Sequence, residues 1–89
     1  MSHFLHDLHA EFPTDTEILH GLKLSDKRFP KLADDYHALN KDIQRIESGI
    51  EASSDERLED FKKRRLAMLD EVSAMIDRNK AADRLHHRL

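Results

Sequence analysis

Phe29, Leu32, Tyr36, Leu39, Ile43, Ile46 and Ile50 follow one another at steps of 3, 4, 3, 4, 3 and 4 residues. That alternation is the seam of a helix lying along another helix. With 89 residues, the chain makes at most one small domain, spanning 1–89. It is 37% charged, with both signs interspersed, and only 6% aromatic. Such a composition suits long solvated helices and argues against a β-sandwich or an α/β enzyme. The expected fold is all-α: a coiled-coil-like antiparallel two-helix hairpin with a short N-terminal helical arm.

Start and stop signals divide the chain. Phe4, Leu5, Leu8 and Phe12 suit one short amphipathic helix, which Pro13 interrupts. Thr14 to Glu17 reads as a capping box opening a second short helix, with Ile18, Leu19 and Leu22 inward. These pieces form an arm over 1–24 that is too short to be stable alone. Asp26 is the expected N-cap of the first long helix, 26–48, with Pro30 in its first turn and Gly49 as its stop. A polar turn over 49–55 follows, where Ser53 to Glu56 offers a box and Asp55 a competing cap. The second long helix is expected over 55–83.

The second long helix carries two stripes. Leu58, Phe61, Arg65, Met68, Val72 and Met75 continue the hairpin seam, and Leu66, Leu69, Ser73 and Ile76 form a second row. One hairpin partner covers only the first row. The second needs either the arm or another subunit, which makes Leu66, Leu69 and Ile76 a candidate arm-docking or self-association stripe. Charge is also uneven. Residues 49–60 hold five acids and one base, whereas residues 61–89 hold eight bases and four acids.

The order and spacing of several short pieces resemble the YdcH-like family of small bacterial helical hairpins of unknown function. The pieces are Glu11-Phe12-Pro13, Leu22-Lys23, Ser25-Asp26 with Phe29 and Leu32, Tyr36 with Leu39-Asn40 and Ile43, and Arg45-Ile46-Glu47. Leu58, Lys62-Lys63, Arg65-Leu66 and Asp70-Glu71-Val72 complete the set, so the likeness covers roughly residues 11–76. The family usually has lysine where this chain has Leu69, which makes the second stripe more apolar here. The resemblance implies a helical hairpin and no catalytic residue.

Other constellations read as ordinary surface. His3, His6 and His9 recur at three-residue steps, but the first and third point about 120° apart on a helix and no cysteine completes a metal set. Lys62-Lys63-Arg64-Arg65 point all round a helix, although Lys62 and Arg65 share a side. The carboxylate pairs Asp34-Asp35 and Asp70-Glu71 lack the pocket that would split their pKa values. Asn40 either fixes register beside Leu39 or stands exposed, and His86-His87 sit in a tail expected to fray.

These observations exclude several classes. No cysteine is present, so neither a disulfide nor a thiolate metal site is available. No apolar run approaches the ~18 residues of a membrane span. The first residues carry no basic region and no long apolar core, so no secretion signal is expected, and the cytoplasm is the expected compartment. A net charge of −3 does not by itself imply a nucleic-acid partner. The expected role is a non-enzymatic interaction module without cofactor, pairing with itself as a homodimer or with a helical protein. The alternative is a nucleic-acid-associated protein using the basic C-terminal half, with Lys62, Lys63 and Arg65 as contacts.

Overall fold

The computed structural model describes residues 3–87, and the side chains of residues 7–82. The described residues are all-helical, with four helices: α1 (His3–Glu11), α2 (Thr16–Ser25), α3 (Phe29–Glu47) and α4 (Asp55–His87). The arm is therefore two helices. The bond preceding Pro13 disfavours helical backbone at Phe12, and Pro13 has no N–H to continue the ladder. The Asp15 N–H instead donates to the Phe12 carbonyl at 3.1 Å, closing the turn into α2.

Three caps differ from expectation. The Thr14–Glu17 box does not form: Asp15 occupies the N-cap position of α2 without a side-chain cap bond. Its carboxylate faces Lys80 Nζ on α4 at 3.1 Å instead, so a long-range charge takes the oxygen that a local cap would use. Asp26 does not open the long helix. Its N–H donates to the Leu22 carbonyl and ends α2, while its Oδ1 accepts the Arg28 N–H at 2.9 Å. That local turn delays α3 to Phe29, with Pro30 in its first turn as expected. At the start of α4 the cap is Ser54, whose Oγ accepts the Arg57 N–H at 3.1 Å; Ser53 lies one residue too early.

Gly49 ends α3 with φ +83°. Its N–H donates to the Ile46 carbonyl at 3.2 Å, and the Ile50 N–H donates to Arg45 at 3.0 Å. This pair of bonds satisfies orphan carbonyls of the last turn and requires a left-handed residue. It also throws Ile50 out of the seam. The heptad pattern runs through Ile50 in sequence, but Ile50 lies beyond the helix and is 80% exposed.

In contacts between α3 and α4, Arg65 reaches Asn40, and Lys62, nearer the start of α4, reaches Glu47, nearer the end of α3. At 33 residues α4 is ~50 Å long, and at 19 residues α3 is ~28 Å. The part of α4 beyond α3 meets the arm. Leu8, Leu19 and Leu22 of the arm share one buried cluster with Phe29, Ala33 and Tyr36 of α3 and with Val72, Met75 and Ile76 of α4. Leu39 and Ile43 are buried lower on α3.

Two sets of substitutions probe this framework. Neither glycine has a neighbouring atom within 4 Å of an added Cβ, so an alanine reports on backbone alone. Gly49→Ala should cost about 1–2 kcal/mol through left-handed strain. Gly21→Ala, inside α2, should stabilise by about 0.5–1 kcal/mol. Urea unfolding measures both, and equal signs would refute the assignment. Ile43→Ala should destabilise by about 2–5 kcal/mol. A loss below about half a kcal/mol would place Ile43 outside a packed interior.

Candidate interaction surface

The predicted seam divides by height along the molecule. Phe29, Tyr36, Leu39, Ile43, Val72 and Met75 are buried, while Leu32 and Met68 are half-buried against the core. Ile46, Leu58 and Phe61, nearest the turn, are only half-buried. There the third layer is missing, because the arm sits at the other end. Phe61 is instead flanked by two guanidiniums, Arg57 at 5.1 Å and Arg64 at 5.9 Å from the ring centre, an arrangement favourable to the ring's negative face.

The second stripe does not act as a unit. Ile76 is buried in the cluster that the arm completes, and Leu69 is half-buried against it. Leu66 is 60% exposed and belongs to no core cluster. The same helix face therefore has one end covered within the chain and one end facing solvent.

The basic run is drawn into local pairs. Lys62 Nζ lies 3.1 Å from Glu47, Arg64 lies 3.0 Å from Asp60, and Arg65 donates to Asn40 Oδ1 at 3.0 Å. Asn40 thus serves the helix–helix register. Lys63 is exposed.

A pairing that sequence spacing could not supply links α1 to α3: His37 Nδ1 lies 2.7 Å from Asp7 Oδ2, thirty residues apart. Tyr36 is buried beside it. Burial pushes the Tyr36 phenol above its ordinary 10.0, the carboxylate charge of Glu11 adds to this, Arg65 opposes it, and Asp7 adds again. Ala33 is fully buried and was also missed. The only available signal was its place between Phe29 and Tyr36 at steps of four and three.

Among the described residues no group of three or more His, Asp or Glu is placed to hold a metal ion. His9 lies beside His20, with ring centres 5.2 Å apart. The side chains of His3, His6, His86 and His87, and of Phe4 and Leu5, lie outside the described residues. The carboxylates Asp34, Asp35, Asp70 and Glu71 are exposed. No described helix is long and apolar enough to cross a membrane.

With this geometry in place, comparison adds one relationship. Residues 29–76 match the family described as "Protein of unknown function (DUF465)". The chain belongs to that family. YdcH-like proteins belong to it too, so the likeness read from the short motifs holds. No curated protein and no solved structure matches the chain. The DUF465 segment begins at Phe29 and ends at Ile76, both buried, and takes in all of α3, the turn and two-thirds of α4. The arm lies outside it.

Tyr36 yields a pH dependence. Its folded-state pKa is raised, so the stability it contributes is complete below its unfolded value near 10 and is lost as pH rises through the folded value. Tyr36→Phe, which cannot ionise, should therefore gain stability relative to the natural chain between pH 8 and pH 11. Urea unfolding of both proteins at the two pH values measures this. An unchanged difference would show that the phenol does not titrate against the fold.

Proposed function

We propose that this DUF465 member is a non-enzymatic helical interaction module. In this reading α3 and α4 form an antiparallel, coiled-coil-like hairpin, and the protein works in the bacterial cytoplasm by pairing with itself or with a helical protein. The observation that carries the reading is the apolar surface left after all four helices have packed. Leu24, Ile50 and Leu66 stand 87%, 80% and 60% exposed. Leu24 on α2 and Leu66 on α4 are large apolar side chains held on helices, which is what helix-in-groove and helix-on-helix recognition use, and Ile50 adds to the apolar surface from the turn. The charged remainder of the surface suits solvation.

Nucleic-acid binding is the rival, and the side-chain pairing weighs against it. Lys62 and Arg65 already engage Glu47 and Asn40, so a phosphate would have to displace protein partners. No aromatic platform interleaves with the basic run.

Lysine-directed cross-linking in the native cell, read by mass spectrometry alongside sedimentation equilibrium of the purified chain, tests the proposal. Cross-links joining two copies, or joining the chain to a helical segment of another protein, are expected. A monomer at every concentration with no intermolecular cross-link would end the reading. DNA or RNA binding with a steep salt dependence would favour the rival.

A further inference from the structure

Resting on that reading, we propose that a second copy of this chain docks on the α4 face centred on Leu66, with the two α4 helices antiparallel about a two-fold axis. Lys63, Leu66 and Asp70 succeed one another at steps of three and four and share one side of α4. All three are exposed, and Leu66 at 60% is a large apolar side chain on the outside of a regular helix. Leu69, half-buried, flanks it from the core side and widens the apolar centre.

The order of charge along this side selects the occupant. A cation precedes Leu66 by three residues and an anion follows it by four. Turned antiparallel with the axis beside Leu66, each copy brings Lys63 against Asp70 of its mate, and symmetry makes the contact twice. A parallel pairing would set Lys63 against Lys63 and Asp70 against Asp70, which like-charge repulsion disfavours. Lys62 is turned to Glu47 within its own chain, which leaves Lys63 as the cation for the mate. At the ~50° crossing usual for packed helices, the two α4 diverge within about two turns. Glu59, about two turns from the centre, falls at the rim, and Asp77, about three turns away, lies beyond it. One such crossing buries less than the ~1,200 Å² of a standard interface. The expected dissociation constant is on the order of 10–1,000 μM.

Sedimentation equilibrium of the full chain from micromolar to millimolar concentration tests the assignment, with circular dichroism confirming that each variant stays helical. The natural chain should dimerise and Leu66→Lys should be monomeric. Lys63→Glu and Asp70→Lys should each weaken dimerisation several-fold. An equimolar mixture of those two should recover it, because each heterodimer restores both opposite-charge pairs. A mixture no tighter than either variant alone would overturn the antiparallel register. A dimer indifferent to Leu66→Lys would overturn the surface while leaving self-association standing. A natural chain that stays monomeric to millimolar concentration would overturn the second copy as occupant, and the cross-links to other proteins then decide whether the broader reading survives.

Discussion

The length difference between the two long helices governs the molecule. With 33 residues against 19, α4 outruns α3 by 14. Val72, Met75 and Ile76 pack beside Phe29, Ala33 and Tyr36 at the start of α3, and α3 alone does not enclose them. Connectivity supplies the remaining cover. Only residues 26–28 separate α2 from α3, so the arm emerges beside the uncovered end of α4. At nine and ten residues, α1 and α2 are below the length at which isolated helices hold in water. The arm therefore needs the long helices as much as they need the arm.

Apolar burial supplies most of the attraction but has no direction. Direction comes from a few polar pairs. His37 with Asp7 fixes α1 on α3, Lys80 with Asp15 fixes the start of α2 on α4, and Arg65 with Asn40 fixes α4 on α3. The first and third of these are part-buried, and the Asp15 side chain is only 14% exposed. Their main effect is on choice among registers. A one-turn slide of α4 would keep many Leu and Ile contacts but would separate Lys80 from Asp15 and Arg65 from Asn40 at once.

The all-helical class was legible because helix spacing is a local property written in the positions of Leu32, Leu39 and Ile43. The stop at Gly49 was legible for the same reason: a left-handed residue suits glycine whatever surrounds it. The caps were less legible, since each depends on competition for one side-chain oxygen. Asp15 had Lys80 as a rival to its own helix, and Asp26 had the Arg28 N–H. Ile50 was misread because periodicity does not register that the backbone turns at Gly49. The His37–Asp7 pair was beyond reach, because nothing in either neighbourhood encodes a partner thirty residues away. The split fate of Leu66 and Ile76 depends on where the arm ends along α4, and that is a tertiary distance.

The boundaries of the DUF465 segment follow from the same geometry. Phe29 and Ile76 belong to the cluster completed by Leu8, Leu19 and Leu22, none of which lies inside the segment. Residues 29–76 therefore carry an apolar end that they do not cover themselves. In this chain the arm covers it, so Ile76 is buried between the arm and the start of α3. Leu66 lies within the same segment but belongs to no core cluster, and it stays exposed. The covered and the exposed apolar positions of α4 are thus separated along one helix. Ile76 at the far end is covered by the chain itself, through burial anchored at polar pairs such as Lys80 with Asp15, and Leu66, where no third layer lies, stays open to solvent between Lys63 and Asp70.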